Sequence, residues 1–260
     1  MSLSHLGELK RFLQSLGVHP KKSLSQNFLI NEVVIQQFLD AANISPDDHI
    51  LEIGPGPGGV TEQILNKTEN LTTVELDHVF ATSLQQRFTT VKTFETNALE
   101  FDYTHLHSPT KVISSLPYGV AADIIKKLVR LYPQITTITI IIQKEMADTI
   151  CANPNSKIYG PLTLECQLFA DVKYLFTIPA NCFYPEPKIQ SAAIQLTTKP
   201  AMYDERILPF IYEAFRHRRK MVRKFFGSIE GIPENARAEN LTLDQFAKAW
   251  LSKHNHKDKS

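Results

Sequence analysis

The chain has 260 residues, 43% of them hydrophobic and 21% charged, with a net charge of +1. That composition is typical of a globular protein in water, and the length suits one large α/β domain with a small appendage. No apolar run approaches the ~18 residues of a membrane span. Residues 1–14 carry Glu8, Lys10 and Arg11 in place of an apolar signal core, so neither a membrane segment nor a secretory leader is expected, and the expected location is the cytoplasm.

Residues 1–26 read as a polar, basic lead-in with a short helix. Residues 31–43 have the spacing of an amphipathic helix, with Val33, Val34, Phe38 and Ala41 as candidate inner positions. A turn at Ser45-Pro46-Asp47-Asp48 precedes a short apolar strand, HILEI (49–53), which runs directly into glycines. Strands and helices then alternate. Strands are expected over 72–76, 91–95, 111–114 and 135–143, and helices over 79–88, 120–132 and 144–152. This alternation predicts βαβ units and a mostly parallel sheet with helices on both faces, a Rossmann-like α/β fold. Residues 172–198 hold two β-rich runs around a proline-rich loop, read as a hairpin closing the sheet edge. After Pro200 the pattern turns helical, over 204–226, 233–239 and 243–254. The domain boundary therefore falls near 198–202. It separates a catalytic domain of residues 1–200 from a small all-α domain of residues 201–260.

Three cysteines, Cys151, Cys166 and Cys182, are too few and too widely spaced for a disulfide framework or a zinc site. Free thiols in a reducing compartment are expected, and no metal. Charge is unevenly placed. Residues 200–260 hold 12 Lys and Arg against 8 Asp and Glu, while residues 1–199 hold 16 against 19. The basic excess concentrates in RHRRKMVRK (216–224), a pattern suited to a phosphate backbone as well as to a solvated helix face.

The loop EIGPGPGG (52–59) lies between a strand and a helix, where glycines permit a tight turn and close approach to a ligand. Gly54, Gly56 and Gly59 fit the GxGxxG pattern of dinucleotide sites. Gly54, Gly56 and Gly58 fit the ExGxGxG loop of enzymes that use S-adenosylmethionine (SAM). Glu75 ends the next strand, where a carboxylate can accept hydrogen bonds from ribose hydroxyls. Leu76 follows it. Asn97 and Ala98 stand at the tip of the third strand, a position that faces an adenine. Together these positions narrow the ligand to an adenosine-containing cofactor.

The fourth strand runs into Ser114-Ser115-Leu116-Pro117-Tyr118. This resembles the (N/D/S)-(P/L/I)-P-(Y/F) signature of amino methyltransferases. An adenine N6 lone pair is delocalised into the ring and is a poor nucleophile. A side-chain acceptor at Ser115 and a backbone carbonyl of the turn, aimed at the N6 hydrogens, can hold that nitrogen closer to tetrahedral geometry. Leu116 and Pro117 shape the turn, and Tyr118 offers a face for an extruded base. A dehydrogenase has no use for this tetrapeptide.

From about residue 21 to residue 246 the chain resembles the small-subunit ribosomal RNA adenine N6,N6-dimethyltransferases, the dimethyladenosine transferases. The blocks that carry the resemblance are KKSLSQNFL (21–29), LEIGPGPGGVT (51–61), VELD (74–77), SSLPY (114–118), QKEMAD (143–148), NSKIYGPLT (155–163), CFYPEPKIQSA (182–192), FRHRRKMVRK (215–224) and RAENL (237–241). The resemblance implies that Asn27 and Leu29 close over the methionine part of SAM and that Gly54 and Gly56 lie beneath it. It also implies that Glu75 with Leu76 holds the ribose and Asn97 with Ala98 the adenine. Ser115 takes the catalytic asparagine position, Tyr118 stacks on the target base, and Phe183 lies on its other face. Lys21, Lys22, Arg216, Arg218, Arg219, Lys220 and Arg223 grip RNA. The implied partners are small-subunit ribosomal RNA and the immature small subunit, met by a monomer. The implied substrate is a pair of adjacent adenosines near the RNA 3′ end. The family usually has Gly at Ser25, Asp at Asn97 and Asn at Ser115. The last departure admits a second reading, a ribosome-assembly factor with little methyl transfer. An enzyme acting on large-subunit RNA and a NAD-dependent oxidoreductase are the weaker alternatives.

Overall fold

The computed structural model describes residues 3–255. In chain order its elements are α1 (Leu6–Ser15), β1 (Phe28–Leu29), α2 (Glu32–Ala42), β2 (His49–Ile53), α3 (Gly59–Leu65), β3 (Leu71–Glu75), α4 (His78–Arg87), β4 (Lys92–Glu95), β5 (Thr110–Ser115), α5 (Ala121–Val129), β6 (Ile135–Gln143) and α6 (Lys144–Ile150). Then follow α7 (Pro161–Phe169), β7 (Ala170–Ile178), β8 (Phe183–Tyr184), β9 (Ser191–Thr198), α8 (Ile207–Arg216), α9 (Arg223–Phe226) and α10 (Leu243–Asn255). Among the described residues no helix is long and apolar enough to cross a membrane.

Seven strands form one sheet in the order β4-β3-β2-β5-β6-β9-β7. The pairs from β4 through to β6 are parallel, and β9 returns antiparallel to β6. The Rossmann-like α/β fold expected from the alternating pattern is therefore present. Strand order reverses between β2 and β5, so the loops after β2, β3 and β5 gather at one end of the sheet, where such folds bind ligands. The central strands β2 and β6 are Ile-rich because a parallel sheet covered on both faces has no polar side. Ile138, Ile140, Ile141 and Ile142 of β6 are all fully buried.

Local signals place the helices. Asn31 caps α2 by accepting from Val34 N at 3.0 Å. Asn43 ends the same helix in the left-handed conformation at φ 48°, which asparagine tolerates. The inner face of α2 is Ile35, Phe38, Leu39 and Ala42. Of the positions expected inside, only Phe38 is fully buried, and Val33 is 76% exposed. The i, i+3, i+4, i+7 stripe starts at Ile35, the residue after the apolar pair Val33-Val34.

Contacts divide the chain into two compact units. One holds the residues up to Ala147 together with Lys173–Thr198, and the other holds Asp148–Val172 together with the residues from Lys199 on. The second unit thus extends beyond the 201–260 region expected from sequence. Residues 148–172 belong to this unit rather than to the 1–200 domain expected from sequence, because α7, for which the sequence pattern gives no signal, packs with α8 and α10. The buried Tyr159 donates to Leu241 O at 2.9 Å, and Lys199 N bonds Phe169 O at 2.8 Å. The helix expected over 204–226 is interrupted. α8 ends at Arg216 with His217 as its cap at φ −111°, and only Arg223–Phe226 is helical again. Met221 pairs with Arg237 in an isolated antiparallel bridge, which pulls that backbone out of helical geometry. No α-helix spans 233–239, where only a 3-10 turn at Ala238–Asn240 forms.

Candidate active site

At the end of β2 the backbone enters the glycine loop with left-handed φ values of 66° at Gly54 and 55° at Gly56, which L side chains rarely adopt. A Cβ on Gly56 would stand 2.8 Å from the Phe28 ring. A Cβ on Gly54 would meet only Pro117 Cδ, at 3.5 Å. The protein therefore leaves the space above Gly54 open, and that space is the floor of a cleft. The cleft is walled by Ser25, Asn27 and Phe28 on one side, by Glu75, Leu76, Asn97 and Ala98 on another, and by Ser115 to Val120.

Glu75 is 6% exposed. Its Oε2 accepts from Gly56 N and its Oε1 from Asp77 N, each at 2.8 Å. Burial pushes its pKa upward, and the backbone N–H groups act against that rise. Each oxygen keeps a lone pair for a further donor, so the carboxylate suits a ribose diol. Leu76, 54% exposed, presents an apolar surface on the same wall. Asn97 accepts from Leu99 N at 3.0 Å, which closes an Asx turn at the tip of β4. Ala98 O is held by Tyr103 Oη at 2.9 Å.

Ser115 ends β5. Ser114 Oγ donates to Ile53 O and ties this strand tip to β2. The Ser115 hydroxyl has no hydrogen-bond partner among the described residues. It lines both the cleft and a smaller crevice behind it, which Asn27, Leu29, Glu52, Gly54 and Val60 also line. Leu116 is buried, and its N–H bonds Ile141 O at 3.0 Å. Pro117 and Tyr118 carry the wall outward. Tyr118 is half-buried, and its Oη lies 2.7 Å from Ser191 Oγ.

Three sequence-predicted residues sit elsewhere than expected. Leu29 reaches the rear crevice and does not line the main cleft. Phe183, expected beside the target base, is 2% exposed and belongs to the core cluster of Leu29, Phe38, Ile178 and Cys182. It does not line the cleft, because pairing with Leu29 in the two-stranded sheet of β1 and β8 turns it inward. Lys21, expected on RNA, has its Nζ 2.9 Å from Asp77 Oδ2.

Sequence reasoning gave Asp77 no role. Its Oδ1 caps α4 by accepting from Val79 N at 3.1 Å, and its Oδ2 also takes Gln26 Nε2 at 3.0 Å. Burial acts to raise its pKa, but the bonds from Lys21 and Gln26 outweigh burial and hold the carboxyl below its ordinary value. Gln26 Oε1 in turn accepts from Lys21 N at 2.7 Å. Residues 21–27 thus form a strap fastened across the cleft mouth. Within it Ser25 adopts φ 53°, ψ 34°, which accounts for the glycine that the resembled family has there. The cap role was legible as an acidic residue before a helix, but the link to Lys21, 56 positions away, was not. Replacing Asp77 with alanine is expected to weaken cofactor binding about 10-fold, from the loss of two charge-assisted bonds. Titration calorimetry checks this, and an unchanged affinity would refute the strap.

Glu52 is fully buried under the loop, and Thr61 Oγ1 donates to it at 2.6 Å. Burial pushes its pKa up to about 8, with Thr61 opposing and the Glu75 charge adding. The native state therefore keeps a proton on Glu52 that the unfolded chain, with an ordinary value of 4.5, releases. The resulting stability is full below that ordinary value and is lost as pH rises towards 8, at up to about 1.4 kcal/mol per unit. Urea unfolding at pH 5 and pH 8 should show this fall in the wild type and a flatter dependence in Glu52→Gln. Equal slopes in the two proteins would exclude it.

In the second unit the basic run divides. Arg216, Arg219, Lys220 and Arg223 are exposed. Arg223 pairs with Glu234 at 2.9 Å, and Arg216 with Glu213 at 3.2 Å. Arg218 behaves differently from its neighbours. Its Nε donates to Glu239 at 2.6 Å, and its Nη2 to Lys157 O and Ser156 O at 2.5 and 3.3 Å. With those donors spent inside the unit, Arg218 is a structural clamp, and the basic surface is carried by the other five basic residues of the run, Lys224 included.

The family model described as ribosomal RNA adenine dimethylase matches residues 18–249. The protein named ribosomal RNA small subunit methyltransferase A of Malacoplasma penetrans is 35% identical over 217 residues, covering 81% of this chain and 79% of that protein. The protein of the same name from Magnetococcus marinus is 34% identical and covers 94% and 96%. A crystal structure of a dimethyladenosine transferase from Plasmodium falciparum superposes with a TM-score of 0.77 at 21% identity, covering 88% of this chain and 98% of that one, which speaks for the fold. With the family model spanning most of its length, the chain belongs to the ribosomal RNA adenine dimethylase family.

Proposed function

We propose that this protein is a SAM-dependent methyltransferase. It dimethylates the N6 groups of two adjacent adenosines in a hairpin near the 3′ end of small-subunit (16S) ribosomal RNA, and it acts as a monomer on the immature small subunit in the cytoplasm. The observation that carries the reading is the meeting of the Ser115–Tyr118 turn with Glu75 and Gly54 in one cleft. SAM, when bound, supplies a methyl group on a sulfonium that leaves readily. The residues of the chain do the rest. Glu75 accepts from the ribose hydroxyls, Leu76 and Ala98 pack the adenine, and Asn97 offers its amide to the adenine edge. Asn27, in the strap, closes the methionine end and excludes water. Ser115 Oγ accepts from one N6 hydrogen and a carbonyl of the turn accepts from the other, so the nitrogen lone pair is held towards the methyl group. Tyr118 stacks on the extruded base.

RNA is gripped by Lys22, Arg216, Arg219, Lys220 and Arg223, all exposed. Replacing Arg219 and Lys220 with alanine is expected to weaken subunit binding and to lower the slope of log affinity against log salt by about one per lost phosphate contact. A salt titration by filter binding measures it, and an unchanged slope would move the RNA face elsewhere.

A second reading, an assembly factor with little transfer, draws on Ser115, whose hydroxyl is shorter than the amide it replaces. Labelled methyl transfer to immature subunits lacking the modification, with digests mapped by mass spectrometry, separates the two. Dimethyladenosine at two adjacent sites supports the enzyme. Subunit binding without transfer favours the assembly factor.

A further inference from the structure

We infer that Ser191 is a positioning residue that anchors the far end of the Tyr118 ring and so fixes where the ring stands for the base to be methylated. The inference rests on the proposed methyl transfer and extends it to a residue outside the cleft wall. Ser191 opens β9, opposite Gln143 at the tip of β6, and it is fully buried. Its Oγ lies 2.7 Å from Tyr118 Oη. Tyr118 comes from the turn after β5, 73 residues earlier, and it lines the cleft. A tyrosine side chain on a turn has two rotatable bonds, so stacking on its face is only as precise as the restraint on its far end. The Ser191 hydroxyl is that restraint. Gln143 and Ser191 are ladder partners, and Leu116 N bonds Ile141 O two residues before Gln143. The turn that carries Tyr118 and the hydroxyl end of its ring are therefore both referenced to β6, a strand buried along most of its length. Burial of the Tyr118 hydroxyl, which pushes its pKa upward, leaves it neutral and able to donate to Ser191.

The test is a double-mutant cycle of Tyr118→Phe and Ser191→Ala on methyl transfer to immature subunits, with SAM affinity measured alongside. Each single variant is expected to lower kcat about 10-fold, because misplacing a reacting group by a fraction of an ångström slows the chemical step. The double variant should lose no more than either single variant, and SAM affinity should not change. Ser191→Thr, which keeps a hydroxyl, should recover most of the rate. Additive losses, a Ser191→Ala enzyme at the wild-type rate, or a parallel drop in SAM affinity would each overturn the inference. A second readout needs no turnover. With 13C-labelled tyrosine and Tyr118→Phe to assign the signal, Ser191→Ala should show greater Tyr118 ring motion by NMR relaxation. If wild-type transfer fails while the ring is freed, the proposed function falls and the positioning stands. If transfer is seen and the ring is no freer, the positioning falls alone.

Discussion

Replacing Glu75 with alanine is expected to weaken SAM binding by at least about 100-fold. Two hydroxyl donors meeting an ionised acceptor contribute about 1.5–3 kcal/mol each, and at 1.4 kcal/mol per decade their joint loss corresponds to about two to four decades. The substitution does further damage. Glu75 Oε2 holds Gly56 N and Oε1 holds Asp77 N, so the left-handed glycine loop and the head of α4 lose their shared anchor together. Glu75→Gln separates the two contributions. It keeps one acceptor oxygen but places an NH2 against one of two backbone donors, so its loss should be nearly as large. Calorimetry with SAM and with its demethylated product reads both variants. An affinity within about 5-fold of wild type in Glu75→Ala would place the ribose elsewhere.

The Ser115→Asn enzyme is expected to transfer methyl groups faster than the wild type, by about 10²-fold where the chemical step limits. One well-aimed group at a reacting centre carries about that factor. An asparagine carbonyl reaches further than a hydroxyl, and the position is open on two sides, to the cleft and to the rear crevice. The extra length therefore has room. Single-turnover rates on immature subunits measure the change. A slower Ser115→Asn enzyme would mean that the hydroxyl is matched to this cleft, and that the neighbouring residues have adjusted to serine.

The fold was legible because its signals are local. HILEI followed by glycines, the Ile-rich run of β6 and the asparagine cap of α2 each act within a few residues, and the strands and helices of the first 150 residues appeared close to their expected places. α7 escaped because it begins at Pro161 and is buried on most of its faces, leaving no clear amphipathic stripe. The break after Arg216 escaped because the Met221–Arg237 bridge is a tertiary event that overrides helix propensity. At the site, Gly54, Gly56, Glu75, Asn97 and Ser115 were found through strand-end logic, since a parallel sheet delivers those positions to one edge. Phe183, Lys21 and Arg218 went to unexpected places for a common reason. Each meets a partner far away in sequence, respectively Leu29, Asp77 and Glu239 with the carbonyls of Ser156 and Lys157. A motif names a residue's chemistry but not which distant group will claim it.

The pairing of β1 with β8 carries a consequence for how the protein is made. Phe28 opposes Tyr184, so the segment that covers the cofactor cleft is secured by residues synthesised more than 150 positions later. β9, which shields β6 and supplies Ser191, comes later still. A ribosome that has translated as far as β6 has already made the glycine loop, Glu75 and Ser115, yet the cleft has no cover and the sheet has a bare edge. Such long-range closure is slow relative to local structure. Newborn chains are therefore expected to acquire cofactor affinity late, and truncations that stop before residue 183 should bind nothing even though every cofactor-facing side chain is present.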